Sequence, residues 1–232
     1  MTQTKQIIMS NSFLNYASIT KKITMSLIGL FLAVFLVVHL VINLMLLLND
    51  GGESFTAAAE FMGTNPFIQV FEKVLFAAFA IHMVLGIILW AQNNAARPTG
   101  YYKANVSETS LMSKFMIHTG IIIMIFLVLH FIHFYFIKIG FDLRGTAIME
   151  DGHPDFYNMA IELFKQPLYT VIYLISFLAL GFHLNHAIQS AFQSMGWEHS
   201  KYTPFVKGLS TAYALMITIG FSIIPIIILM KG

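Results

Sequence analysis

Between Lys114 and Lys138 the chain runs for 23 residues without a charged side chain, and His118, His130 and His133 lie inside that run. At about 1.5 Å of rise per residue a helix of that length reaches roughly 34 Å, enough to cross the hydrocarbon core of a bilayer. A backbone in that core must satisfy its own hydrogen bonds, so a helix is the conformation such a run is bound to take. An imidazole at membrane depth is costly and marks a functional site. It is also the commonest protein ligand for a metal. The rest of the chain is therefore read for other histidines that could meet these.

Four more uncharged apolar runs accompany this one. The first helix is expected over 23–48, the second over 68–94 with its apolar part at Val74–Asn94, and the third over 115–138. The fourth is expected over 166–195 and the fifth over 207–230, with Pro225 near its end. Asn65 and Pro66 mark a helix start ahead of the second run. With 57% hydrophobic and 10% charged residues the composition is that of a membrane protein, since soluble domains carry about 25% charged residues. The expected fold is a single all-α transmembrane domain over 1–232, in which helices one to four form a four-helix bundle and helix five is peripheral. Residues 1–22 are polar and mixed, and the following run is too long for a signal peptide. A formal charge of +2 gives no nucleic-acid footprint, and the absence of cysteine excludes disulfides, cysteine-held iron–sulfur clusters and a catalytic thiol. No carboxylate lies inside the five apolar runs, so no side-chain proton relay across the membrane is expected.

Five crossings put the termini on opposite sides. One side holds Lys5, Lys21, Lys22, Arg97, Lys103, Lys114, Lys201 and Lys207; the other holds Lys73, Lys138, Arg144, Lys165 and Lys231. Basic residues favour the cytoplasmic side, so the N-terminus is expected in the cytoplasm and the C-terminus outside. The loop 140–162 is acidic and is expected to form a short interfacial segment on the outer side.

Each of the first four helices carries a histidine deep in its span: His39, His82, His130 or His133, and His183 or His186. Counted from the cytoplasmic ends, His39 lies roughly 24 Å in, His130 roughly 22 Å, His82 roughly 15 Å and His183 roughly 14 Å. These are two pairs at two levels, helix one with three and helix two with four, the diagonals of an up-down bundle. Two diagonal imidazoles at one level can ligate a haem iron from both faces of the porphyrin. Depth leaves His133, at roughly 27 Å, open beside His130, while His186, at roughly 9 Å, matches His82 less well than His183 does. The plain alternative for any single histidine is a polar side chain bonded to a neighbouring helix. Zinc or copper transport would want carboxylate or sulfur ligands along its path. His118, His153 and His199 are read as solvated, and Gly86 and Gly181 as small residues that could admit a porphyrin edge.

The stretches VHLVINLM at His39, FTAAAEFMGTNPF, the run holding His82, IIIMIFLVLHFIHF at His130 and LGFHLNHAIQS at His183 resemble the cytochrome b membrane anchor of succinate dehydrogenase/fumarate reductase, in its single-subunit, five-helix, di-haem form. The resemblance spans most of residues 20–230. It selects His130 over His133 and His183 over His186. It implies two haem b groups, the outer on His39 and His130 and the inner on His82 and His183. It further implies a flavoprotein and an iron–sulfur subunit docked on the cytoplasmic face of the inner membrane. Electrons would pass between them and a membrane quinone, menaquinone, with no dicarboxylate chemistry in this chain. A transmembrane di-haem reductase acting alone would have the same spectrum without the soluble partners. Quinone chemistry at the outer surface needs a proton donor, and Glu60, among small and apolar residues, is the carboxylate best placed by sequence.

Overall fold

Runs of apolar residues with no partner but lipid leave the backbone one way to satisfy its polar groups, and the chain is helical almost throughout. The structure, a computed structural model, describes residues 2–95, 109–150 and 152–232, with the side chains of the first two stretches described from 19 and from 115. Five helices are long and apolar enough to cross a membrane: Ile19–Leu47, Pro66–Ala95, Phe115–Lys138, Pro167–Ser194 and Thr203–Lys231. The chain is an all-α, multi-pass membrane protein.

In chain order, α1 is Thr2–Leu44, α2 Glu53–Thr64, α3 Pro66–Ala95 and α4 Thr109–His130; α5 is Phe136–Lys138, α6 Phe156–Phe164, α7 Pro167–Ser194 and α8 Thr203–Lys231. A 3-10 turn, Met45–Leu47, ends the first span, and a π-helical turn, Phe131–Tyr135, joins α4 to α5. α1 begins far ahead of residue 23, because hydropathy marks where lipid begins and not where helical hydrogen bonding stops. α3 begins at Pro66 as expected. Proline lacks the N–H that a first helical residue would leave unpaired, and the Asn65 side chain accepts from the N–H of Phe67 at 2.9 Å.

The best-buried side chains lie where α8 packs against α1 and α7. Leu40, Tyr173, Phe177, Ala214, Ile217 and Phe221 belong to one cluster there. Helix–helix packing in lipid depends on close backbone approach rather than on the hydrophobic effect. Small residues provide it. A Cβ on Gly181 would come within 2.1 Å of Thr218 Oγ1, and one on Gly220 within 2.7 Å of a Leu40 methyl. The fifth helix, expected to be peripheral, carries no histidine but supplies the fully buried Ser210, Ile217 and Pro225. α1 packs on α3 and α7, and α4 on α7, whereas α3 and α4 scarcely touch. α3 is correspondingly open to lipid and buries only Ala78.

One end of the bundle carries α2, α6 and a two-residue hairpin, β1 (Met149–Glu150) with β2 (His153–Pro154). Gly52 has φ 93°, and a Cβ there would strike the Tyr157 ring at 2.5 Å, so the turn into α2 requires glycine twice over. Asp50 caps that turn. Its carboxyl accepts from the Ser54 and Gly52 N–H groups, and hydrogen bonding, led by Ser54, lowers its pKa from the ordinary aspartate value. The loop 140–162, expected to be a short interfacial segment, forms this hairpin and the start of α6, whose Met159, Ala160 and Leu163 turn inward.

Candidate functional site

The helices alternate in direction, so His39 of α1 and His130 of α4 come to one level, and His82 of α3 and His183 of α7 come to another. The rings of His39 and His130 lie with centroids 5.8 Å apart, and those of His82 and His183 6.3 Å apart. Two imidazoles on opposite sides of one metal ion, each bonded at about 2 Å with its ring centre about 1.2 Å further out, would stand about 6.4 Å apart, close to the inner pair's separation and about 0.6 Å more than the outer pair's. Both ring planes would contain the bond axis, so the angle between them is free; here it is 85° and 63°. Among the described residues no group of three or more metal-ligating side chains converges. The imidazoles meet in twos, a donor set suited to an ion whose other positions are filled by a macrocycle.

Two features of the histidines bear on that fit. The Nδ1 atoms of His82 and His130 are buried without a hydrogen-bond partner among the described residues, a situation that costs about 1–3 kcal/mol for each group left unsatisfied. His82 is in one pair and His130 in the other, so each pair holds one such ring. Their partners are held by side chains. Thr119 Oγ1 lies 3.1 Å from the carbonyls of Phe115 and Met116 and 3.2 Å from His183 Nδ1. With its single proton given to a carbonyl, that hydroxyl accepts the Nδ1–H of His183 and leaves Nε2 with a free lone pair. Asn43 Nδ2 donates to the His39 carbonyl at 2.8 Å and stands 3.4 Å from the Nδ1 of the same residue.

The helices that contribute no histidine to the inner pair each contribute a glycine beside it. A Cβ on Gly29 of α1 would lie 3.6 Å from His82 Cε1, and one on Gly120 of α4 would lie 3.8 Å from His183 Cε1. Gly86 and Gly181, singled out in the sequence, face Met25 and Thr218 instead. The outer pair is set among rings: Phe35 and Phe221 against His39, and Phe126, Phe134 and Tyr173 against His130.

His133 stands apart from its neighbour. It is 4% exposed, and its Nδ1 is 2.8 Å from the hydroxyl of Tyr173, itself 2% exposed. Its ring stacks on Tyr173 and meets Tyr169 edge-on, and Arg144 donates to the Tyr169 hydroxyl at 3.0 Å. The π-helical turn begins just after His130 and holds His133: His130 meets His39 of α1 as well as Tyr173 of α7, while His133 meets Tyr169 and Tyr173, both of α7. His186 is half-buried one turn from His183, and His118, His153 and His199 are exposed.

Glu60 is exposed on α2. A carboxylate that the apolar runs excluded does lie in a span. α3 starts eight residues before the run beginning at Val74, and so takes in Glu72, the one acid in the five spanning helices. Glu72 pairs with Lys138 and lies 3.5 Å from the hydroxyl of Tyr135. Its signal in the sequence was its place seven residues into a helix that Pro66 opens.

Comparison with protein-family models, with curated proteins and with solved structures yields no match.

Proposed function

We propose that this chain is the di-haem cytochrome b membrane anchor of a succinate:quinone oxidoreductase of the succinate dehydrogenase/fumarate reductase kind. The observation that carries this reading is the meeting of four intramembrane imidazoles, one from each of four helices, as two pairs with ring centroids 5.8 Å and 6.3 Å apart, near the separation of two imidazoles that share one metal ion. In this reading His39 and His130 hold the outer haem b, and His82 and His183 the inner. Bound haem iron supplies one-electron oxidation and reduction at two depths. Thr119 fixes the tautomer of His183, Gly29 and Gly120 leave room beside the inner pair, and the rings about His39 and His130 exclude water from the outer one.

The cytoplasmic face receives the flavoprotein and iron–sulfur subunits on a basic surface that includes Lys21, Lys22, Lys201 and Lys207. Arg97 and Lys103, expected on the same face, lie outside the described residues, as do the side chains of Lys5 and Lys114. Membrane quinone, menaquinone, exchanges electrons with the outer pair at the end carrying α2 and α6, and the N-terminus lies in the cytoplasm. Glu60, exposed on α2 at that end, is the carboxylate this reading assigns to proton exchange with the quinone.

The purified chain is expected to show a reduced-minus-oxidised spectrum of bis-histidine haem b at two haems per chain, and to bring down a flavoprotein. A chain without haem overturns the reading; two haems with no soluble partner turn it into a reductase acting alone. Thr119→Val keeps the shape of the side chain and removes the acceptor of the His183 Nδ1–H. It is expected to weaken retention of one haem about 10-fold and to raise that haem's potential, read by spectroscopic redox titration, with the other unchanged.

A further inference from the structure

The four helices that each supply an imidazole, α1, α3, α4 and α7, form a square with the paired histidines on its diagonals. Its four sides are unequal. α1 packs on α3 and on α7, and α7 packs on α4, with α8 behind α1 and α7, whereas α3 and α4 scarcely touch. α3, which carries His82, buries only Ala78 and is the least buried of the five spans. Side-chain contacts join it to the third span at the outer end of the open side. Glu72, the one carboxylate in the five spans, pairs with Lys138 and lies 3.5 Å from the Tyr135 hydroxyl. Phe76, one turn further in, lies 4.6 Å from Tyr135 and 5.3 Å from Phe131, centroid to centroid. Phe131 and Tyr135 belong to the π-helical turn and Lys138 to α5 just after it, and such turns are frequent at functional sites.

We propose that the side between α3 and the third span is the lateral port through which the chain takes up haem from the lipid, and that Glu72 with Lys138 is its latch. The proposal rests on the function proposed above and adds how the cofactor reaches its ligands. A porphyrin is a flat, largely apolar ring, and to place it between the diagonals one side of the square must part. A packed side gives up many van der Waals contacts when it opens. The side between α3 and α4 gives up few. Its polar link is also partly exposed, at 32% for the Lys138 side chain and 23% for that of Glu72. An ion pair so placed is weak enough to break and re-form while both helices stay folded. Either charge left alone beside lipid is costly, so the pair draws the two helices together again and the rings of Phe76, Phe131 and Tyr135 close behind it.

The test uses the full-length chain, which has no cysteine, produced in haem-depleted cells and reconstituted in vesicles, with haemin as the probe. Glu72→Cys and Lys138→Cys are introduced together and joined by a reducible bis-thiol cross-linker long enough to span them. The bridged chain is expected to take up no haem, and cleavage of the bridge to restore uptake to two haems per chain. The reference is a bridge between Asn185→Cys and Thr211→Cys, whose native side chains are 3.2 Å apart. It ties α7 to α8 and closes no side of the square, so uptake there should match the unbridged chain.

A second arm starts from the loaded protein and needs no haem-free chain. Excess apomyoglobin withdraws haem at a rate that opening of the port limits. Glu72→Gln and Lys138→Gln are each expected to raise that rate about 3-fold, the effect of losing one partly exposed ion pair, with the haem spectrum unchanged. The Glu72–Lys138 bridge, formed after loading, should lower it. Uptake by the bridged chain at the unbridged rate, or wild-type haem loss in both glutamine variants, overturns the port while two bound haems leave the haem reading standing. A chain that holds no haem under any of these conditions overturns the haem reading and the port with it.

Discussion

His39→Ala and His130→Ala are each expected to lower the haem content from two per chain to one, and to remove the same haem. His82→Ala and His183→Ala should each remove the other. The pairing predicts this pattern, because the partners stand 5.8 Å and 6.3 Å apart across two levels while no ring of one pair is in ring contact with the other. An imidazole that would hold the haem at membrane depth would be hard to replace, since water is scarce there and the neighbours of His130 include Phe126, Phe131, Phe134 and Tyr173. The controls are His133→Phe and His186→Ala, both expected to keep two haems. His133→Phe leaves the buried Tyr173 hydroxyl without its 2.8 Å partner, so it should cost about 1–3 kcal/mol of stability while sparing the spectrum. Haem-to-protein ratio and redox titration of the six variants decide the matter. Two haems in any of the four alanine variants would strike that residue from the ligand set, and a haem lost from His133→Phe with normal stability would add His133 to it.

How far these positions could be read in the sequence depends on what each rests on. The spans were legible because lipid tolerates long uncharged stretches and little else, and the relative depths of the histidines followed from counting residues along them. Contact between the histidines was a further step, which needed the order of helices around the bundle. His130 and His133 were not separable by counting, since three residues in a regular helix put both on one face. The π-helical turn that separates them has no obvious signature in FIHFY. Glu72 was overlooked for a related reason. Hydropathy begins at Val74, after Lys73, while the helix begins at Pro66, and a carboxylate between those points is in the span without being in the apolar run. α2 and α6 are short and half-polar, so they read as loop until Tyr157 is seen against Gly52. α8, which carries no histidine, is expected from the sequence to be peripheral. Its importance lies in small residues that allow close packing, as at Gly220 against Leu40, and these give no signal until the facing helix is known.

The same limit applies to the glycines, and it sets up the second large effect. Gly86 and Gly181 drew notice because they stand near His82 and His183 in sequence. In space they serve helix contacts with Met25 and Thr218, while the glycines beside the imidazoles come from the opposite diagonal, Gly29 on α1 and Gly120 on α4. A regularity was available: Gly29 precedes His39 by ten residues and Gly120 precedes His130 by ten. Each of these helices thus carries a histidine of the outer pair and, ten residues earlier, a glycine that falls beside the inner pair. A single Cβ at either site would only reach van der Waals distance of a ring, at 3.6 Å and 3.8 Å, and Gly→Ala should be tolerated. A branched side chain must extend past that point into the space beside the imidazole, and overpacking there costs about 1–3 kcal/mol even without a cofactor. Gly29→Leu and Gly120→Leu are therefore each expected to lose the inner haem and keep the outer, giving one haem per chain with the spectrum of the His82→Ala variant. Gly86→Leu, on the same helix as His82 but turned toward Met25, should keep both. Full haem content in Gly29→Leu and Gly120→Leu together would mean that the porphyrin does not lie between those helices, and the inner pair would then need another occupant.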